Sequence, residues 1–221
     1  MTKAVILGTG SCLPAKALTN AELEQIVDTS DSWIFTRTGI RERRIAGPGE
    51  EIYKIAAQAG RNALDAAGLK PDQIELLIVA TVSSYMTIPA TACFVQTALG
   101  AEKAFAFDIS AACAGFTYGV DIASKYISAR PEMKVLVIGA ENLSTRLNWQ
   151  DRNTCVLFGD GAGAAVLGSG QDRNRGILGT KLHTDGRYWN LLYTDGPKSM
   201  NSDLERPDWQ WSYIQMNGSE L

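Results

Sequence analysis

Short apolar runs alternate with amphipathic helical patterns along the first 170 residues, and this alternation restricts the chain to few folds. Helical periodicity covers residues 51–67, 91–99 and 114–129, and a glycine or a proline follows each of these segments. Buried strands are predicted at residues 4–7, 74–82, 105–109, 135–139 and 163–167. Strands separated by helices of about ten residues or more predict an α/β fold with a parallel or mixed sheet, covered on both faces.

Two further helix starts are marked nearer the N-terminus. Thr19 and Glu22 have the spacing of a capping box, which predicts a helix through Val27. Asp31 is predicted to cap a second short helix, which ends at Gly39.

Composition and charge exclude several classes of protein. The chain has 221 residues, of which 45% are apolar, so it can bury a large core. A net charge of −3 argues against a general nucleic-acid binder, because such proteins need a basic surface. The longest apolar runs are far shorter than the roughly 18 residues of a membrane span, so we expect no membrane segment.

The four cysteines are widely separated, at Cys12, Cys93, Cys113 and Cys155. Without a C-x-x-C pair they predict neither a metal site nor a disulfide framework. Free thiols in a chain without a signal peptide indicate a cytoplasmic protein. Any one of them is most simply interpreted as a small buried hydrophobe.

The strongest chemical signal is the segment Asp-Ile-Ser-Ala-Ala-Cys-Ala-Gly-Phe at residues 108–116. A predicted strand ends there, small residues follow, and Cys113 falls where a helix begins. The unpaired N–H groups and the positive end of a helix stabilise an anion, and the thiolate is the nucleophilic form of cysteine. Small neighbours leave room for a substrate. From the pattern alone, a catalytic and a structural role for Cys113 both stay open.

This segment resembles the nucleophile motif of β-ketoacyl-acyl-carrier-protein synthase III. Other segments resemble that family in the same order along the whole chain: residues 31–34, 37–44, 153–167, 182–186 and 216–218. The resemblance implies a thiolase-like αβαβα layered fold built from two similar halves. Residues 1–170 would form the N-terminal half with the nucleophile, and residues 171–221 would begin a C-terminal half. Because the chain stops at Leu221, we expect that second half to be truncated.

The resemblance also implies an activity. Family members transfer an acyl group from a CoA thioester to the cysteine, here Cys113, and condense it with malonyl-acyl carrier protein to initiate fatty-acid synthesis. The backbone N–H of Cys113 would contribute to an oxyanion hole. No cofactor and no metal is implied, since the CoA thioester is a substrate. Acyl-CoA and malonyl-acyl carrier protein are the expected partners, and a homodimer is expected.

Six residues match positions that bind CoA in the family: Thr29, Trp33, Arg37, Arg152, Met216 and Gly218. An indole offers a flat face to adenine, and arginines bind phosphate oxygens through paired donors. Apart from the resemblance, Trp33 could be a core aromatic residue and residues 37–44 a solvated basic loop. Ile88 aligns with a position that shapes the acyl pocket across the dimer interface, and ordinary interface packing is the alternative.

The resemblance leaves the catalytic set incomplete. The family also uses a His and an Asn from the second half, and we expect both to lie beyond Leu221. His183 is the one histidine of the chain, and it matches a noncatalytic landmark. The 221-residue chain alone is therefore expected to be incompetent for condensation. Two alternatives remain: a related condensing enzyme of secondary metabolism, and a noncatalytic dimerising fragment.

Overall fold

The computed structural model describes residues 3–170, 172, 175–195 and 213–218. The chain divides into two compact units. The first comprises Met1–Lys16, Ala46–Asn142 and Asp160–Leu182, and the second comprises Ala17–Ile45, Leu143–Gly159 and His183–Leu221. The boundary predicted at residue 170 is one between two repeated halves of a fold, not one between compact units. The division into compact units therefore does not test it, and it stays a prediction.

The strands of the described residues are β1 (Ala4–Cys12), β2 (Lys16–Thr19), β3 (Glu42–Ile45), β4 (Leu76–Ala80), β5 (Phe105–Ile109), β6 (Val135–Asn142), β7 (Asp160–Ser169), β8 (Leu192–Tyr193) and β9 (Gln215–Met216). The α-helices are α1 (Asn20–Leu23), α2 (Asp31–Thr38), α3 (Ile52–Ala67), α4 (Thr91–Leu99), α5 (Gly115–Ala129) and α6 (Arg152–Cys155). None of these helices is long and apolar enough to cross a membrane.

The first unit contains a five-stranded mixed sheet in the order β1-β7-β6-β4-β5. Strand β4 runs parallel to β5 and β6, and Ala80 at its end pairs with both Ile109 and Gly139. Strand β7 runs antiparallel to its two neighbours, β1 and β6. The carboxyl ends of β4, β5 and β6 therefore meet at one edge of the sheet.

Helices cover both faces of this sheet, as the sequence predicted. Alternate residues along β4 point to opposite sides, which places Leu77 and Val79 in one core and Leu76 and Ile78 in the other. The first core also receives the apolar face of α3 and residues of α4, and the second receives α5.

The five predicted strands are confirmed, but their boundaries differ. Strand β1 continues five residues beyond the predicted end, through Gly-Thr-Gly-Ser-Cys, because this stretch pairs with the equally small residues of β7. Apolar periodicity does not detect such a stretch. Strand β4 is shorter than predicted and ends at Ala80, where Thr81 begins to bond to the loop that follows.

Two predictions about short helices are corrected. The capping box of Thr19 and Glu22 is present, but helix α1 ends at Leu23 rather than Val27. The N-cap of α2 is Ser30, whose hydroxyl accepts the N–H of Trp33 at 3.1 Å. Asp31 is instead the first helical residue, and its carboxylate accepts the side-chain amide of Asn20 at 2.8 Å.

The second unit contains a two-stranded sheet of β2 and β3 that periodicity did not predict. Its core includes Leu23, Ile34 and Val156. Arg43 on β3 is only 5% exposed, so the basic run 37–44 is not a uniformly solvated loop. The Arg43 guanidinium donates to the carbonyls of Leu18 and Val156 at 3.0 and 3.1 Å, and it thereby ties β3 to two other segments of this unit.

Candidate active site

Cys113 lies on a turn between the central parallel strands and helix α5. Strand β5 ends at Ile109, a 3₁₀ turn covers Ala112–Ala114, and α5 begins at Gly115. Cys113 is exposed. Ala112 has a φ of 45°, in the left-handed region that residues with a side chain seldom adopt. Such backbone strain is concentrated at functional sites, because it aims a side chain where a relaxed turn would not.

Close packing holds the start of α5 against the sheet. A Cβ atom at Gly115 would lie 2.9 Å from Cβ of Ala80, at the end of β4. One turn later, a Cβ at Gly119 would lie 2.7 Å from Cγ1 of Val137 on β6. Only glycine fits at these distances, so the helix that follows Cys113 approaches two strands more closely than a larger residue would allow.

Asp108, within the same motif, bonds to a different helix. Its two carboxylate oxygens accept the N–H groups of Thr91 and Ala92, each at 2.7 Å. These N–H groups belong to the first turn of α4, where a negative charge is favourable. Asp108 therefore connects the strand before Cys113 to the helix that follows loop 82–90.

Loop 82–90 leaves the sheet at the edge where Cys113 lies, and Glu141 holds its start. The Glu141 carboxylate accepts the N–H of Val82 at 2.9 Å and the hydroxyl of Ser83 at 2.5 Å. Burial raises the pKa of Glu141 above its ordinary value, and hydrogen bonds from its neighbours oppose the rise. Ile88, near the end of this loop, is 83% exposed. Apolar periodicity did not indicate Glu141, which lies near the end of β6; a glutamate two residues beyond the predicted strand 135–139 was a usable signal.

Three of the predicted CoA-binding residues meet in the second unit. The guanidinium carbons of Arg37 and Arg152 lie 4.5 and 4.9 Å from the centre of the Trp33 ring. Arg152 also donates to the carbonyl of Asp28 at 3.1 Å. Trp33 is half-buried and packs against the core of this unit, so it is both a core aromatic residue and an arginine-binding face.

The other predicted CoA-binding residues also lie in the second unit. Thr29 follows Asp28, and its hydroxyl is buried with no hydrogen-bond partner among the described residues. Met216 is part of β9, which contacts α6, the helix that begins at Arg152. Gly218 lies in the turn after β9 and is exposed.

The remaining cysteines differ from Cys113 in their surroundings. Cys155 is fully buried, and burial raises the pKa of its thiol. Burial and the nearby Glu50 raise the pKa of the Cys12 thiol as well. His183 is exposed. In the part of the chain that the structure describes, no three His, Cys, Asp or Glu side chains are arranged to hold a metal ion.

Residues 107–186, which include Cys113 and Arg152, match the family model described as 3-oxoacyl-[acyl-carrier-protein (ACP)] synthase III. A curated relative from Desulfotalea psychrophila, named β-ketoacyl-[acyl-carrier-protein] synthase III, is 54% identical over 217 residues. That alignment covers 98% of this chain and 67% of the relative.

Two solved structures are similar over nearly the whole chain. The 3-oxoacyl-[acyl-carrier-protein] synthase III of Aquifex aeolicus VF5 superposes with a TM-score of 0.88 at 48% identity, covering 99% of this chain and 66% of that one. The priming β-ketosynthase of the R1128 polyketide biosynthetic pathway superposes with a TM-score of 0.89 at 34% identity, covering 99% and 64%. The chain thus spans about two thirds of the length of these proteins, and the predicted thiolase-like α/β fold is confirmed.

Proposed function

Because the chain belongs to the β-ketoacyl-[acyl-carrier-protein] synthase III family of condensing acyltransferases, we propose that Cys113 accepts the acyl primer that starts fatty-acid synthesis. The observation that supports this most directly is the exposed Cys113 thiol on a strained turn, immediately before a helix. A nucleophile must be reachable by a substrate and held in one position, and this turn provides both conditions.

The proposed reaction has two stages. The Cys113 thiolate attacks the thioester carbonyl of an acyl-CoA, a new carbon–sulfur bond forms, and CoA leaves as its thiolate, which takes up a proton. In the second stage, for which the family also uses a His and an Asn that we expect beyond Leu221, malonyl-acyl carrier protein loses CO₂ and the resulting carbanion attacks the acyl carbonyl. The bond to Sγ breaks, Cys113 is regenerated, and the product is a β-ketoacyl thioester two carbons longer than the primer. The backbone N–H of Cys113 is proposed to donate to the oxygen that becomes negative at each attack.

The cluster around Trp33 is proposed to bind the nucleotide end of CoA. Adenine can stack on the Trp33 ring where the arginines now lie, and both guanidinium groups can bind phosphate oxygens. The buried hydroxyl of Thr29 has no hydrogen-bond partner among the described residues, and we propose that a polar atom of the same ligand bonds to it. Met216 and Gly218 are proposed to line the path of the CoA chain. No cofactor or metal is needed in this proposal.

A homodimer is part of the proposal, with a second copy of this chain pairing along β5. Strand β5 is the outermost strand on its side of the sheet, and free strand edges favour pairing. Phe105 on β5 is 44% exposed, and its ring lies 5.8 Å from that of Tyr126, which is 38% exposed. Ile88 is proposed to shape the acyl pocket from such an interface. We also propose a cytoplasmic location, since the four cysteines are free thiols.

Labelling tests the proposal. The intact protein is incubated with radiolabelled acetyl-CoA, and the label is located by peptide mapping. We expect it on Cys113, and we expect Cys113→Ala to remove it while Cys93→Ala retains it. The noncatalytic dimerising fragment would instead be favoured by two results together: the wild-type protein takes up no label, and the Cys113→Ala variant still forms dimers.

A second candidate is a condensing enzyme of secondary metabolism. The similarity to the R1128 priming β-ketosynthase favours it, although the identity to that protein is lower than to the fatty-acid type of synthase. The acceptor of the labelled acyl group distinguishes the candidates. Transfer to malonyl-acyl carrier protein of the fatty-acid pathway supports the first, and exclusive transfer to malonyl-CoA or to a polyketide carrier protein contradicts it.

A further inference from the structure

Glu141 forms a hydrogen-bonded network that the proposed reaction does not use. The Glu141 carboxylate accepts the N–H of Val82 and the hydroxyl of Ser83. Ser83 extends the network to further residues. The Ser83 hydroxyl oxygen accepts the N–H of Asn142 at 2.7 Å, and the Ser83 N–H donates to Thr81 Oγ1 at 3.1 Å. Thr81 and Ser83 are each only 5% exposed. The strand ends of β4 and β6 are thereby joined through side chains where their backbone pairing stops.

Within this network the ionised form of Glu141 is less favourable than the protonated form. Burial raises the pKa of Glu141, so the folded protein binds a proton more readily than the unfolded chain does. Between the unfolded and the folded pKa, stability therefore falls as the pH rises, and above both values the ionised carboxylate lowers the stability of the fold. A neutral side chain of the same shape would avoid this penalty. A carboxylate that the fold tolerates at a loss of stability is a candidate for a functional role.

Tyr85, in the first half of loop 82–90, is also fixed, by different contacts. The Tyr85 ring lies 4.8 Å from that of Tyr53 and 5.0 Å from that of Phe94. The Tyr85 N–H donates to Thr91 Oγ1 at 3.2 Å, and Asp108 holds the N–H of Thr91. Between Tyr85 and Thr91 the side chains of Met86 and Ile88 are exposed, at 47% and 83%.

The network also borders the nucleophile. Ala80, directly before Thr81, packs against Gly115, which lies two residues after Cys113, and a Cβ at Gly115 would lie 2.9 Å from Cβ of Ala80. A shift of the segment that starts at Thr81 would therefore change the space beside the Cys113 turn and the direction in which Ile88 leaves the sheet.

We propose that Glu141 is a positioning residue, which fixes the start of loop 82–90 and thereby sets which acyl primers reach Cys113. This inference rests on the proposed function, because the primer is an acyl-CoA. It adds a residue that neither the nucleophile motif nor the CoA-binding cluster contains.

The test is Glu141→Gln in the intact protein, which keeps the shape of the side chain and removes its charge. Glutamine can still accept the Val82 N–H, but its amide nitrogen cannot accept the Ser83 hydroxyl. Losing a hydrogen bond to a charged acceptor should accelerate amide hydrogen exchange at Val82 and Ser83 about 10-fold. The amides of Thr91 and Ala92, held by Asp108, should be unaffected.

The kinetic readout is the preference between primers. We expect the ratio of the second-order rate constant for acylation of Cys113 by acetyl-CoA to that by isobutyryl-CoA to change about 10-fold in Glu141→Gln, because one displaced pocket wall can alter discrimination by that much. Alkylation of Cys113 by iodoacetamide should keep its wild-type rate, and the unfolding temperature at pH 7 should stay within about 3 °C of wild type or rise. Glu132→Gln, an exposed carboxylate paired with Arg130, is the matched control and should change nothing.

Three outcomes overturn the inference. Unchanged exchange at Val82 and Ser83 shows that Glu141 does not fix the loop. Faster exchange with an unchanged primer ratio shows that the loop does not select primers. A large loss of stability with every primer equally affected shows a purely structural role. If the wild-type protein is not acylated at all, the proposed function fails, while hydrogen exchange still tests whether Glu141 positions the loop.

Discussion

The turn around Cys113 is held by backbone geometry, whereas the cluster around Trp33 is held by exposed side chains. At the turn, Ala112 adopts a left-handed φ and Gly115 packs against Ala80 with no room for a Cβ. At the cluster, two exposed arginines lie over one ring. Exposed contacts of this kind contribute only about 0.5–1 kcal/mol each. Changes at the turn should therefore alter chemistry and folding together, and changes at the cluster should alter ligand binding alone.

The largest effect is expected from Gly115→Ala. The added methyl group would lie 2.9 Å from Cβ of Ala80, so α5 must shift and carry Cys113 with it. Displacing Cys113 in this way should slow single-turnover acylation by acetyl-CoA about 100-fold. Overpacking should also lower the free energy of unfolding by about 1–3 kcal/mol, measured by urea denaturation.

Gly163→Ala is the matched control for that experiment. Gly163 lies on β7 of the same sheet, and a Cβ there would have no atom within 4 Å. Its acylation rate and stability should be those of the wild type. A Gly115→Ala variant that is acylated at the wild-type rate would show that backbone geometry does not determine the position of the thiol.

The location of Cys113 could be predicted because its signal is local. An apolar strand, a run of small residues and a helical pattern follow one another within residues 105–129, and the structure has them in that order. Glu141 could not be placed in the same way, because its partners Val82 and Ser83 lie 59 and 58 residues earlier in the chain. Only the parallel pairing of β4 and β6 brings them together.

In the second unit, sequence periodicity did not predict the strands. Strands β2 and β3 have four residues each and carry several polar or charged side chains, so no apolar alternation marks them. Arg43 is buried, and the terminal nitrogens of its guanidinium donate to two carbonyls and to the side chain of Asn20, which accepts at 2.8 Å. The CoA-binding residues were identified by resemblance alone, and their grouping around Trp33 arises from contacts between α2 and α6.

A smaller effect, confined to binding, is expected from Arg152→Ala. The variant loses a contact with the Trp33 ring and a donor for phosphate oxygens, so KM for acetyl-CoA should rise about 10-fold. The rate of acylation at saturating acetyl-CoA and the urea midpoint should change little. Arg61→Ala, an exposed arginine of α3, is the control and should keep the wild-type KM. A loss of stability comparable to that of Gly115→Ala would break the distinction between the two regions.

The smallest effect is expected from Asp108→Asn, which separates the nucleophile motif into chemical and structural parts. Asparagine keeps one acceptor for the first turn of α4 but loses the negative charge and the second acceptor. Urea denaturation should therefore show a loss of about 1 kcal/mol, typical of a weakened helix cap. Because the Asp108 side chain bonds to α4 and not to the turn, acylation of Cys113 should slow less than about threefold, a change of under 1 kcal/mol in the barrier. If acylation instead slows about 100-fold with stability unchanged, the aspartate of the motif takes part in positioning the thiol, and side chains as well as backbone geometry determine the turn.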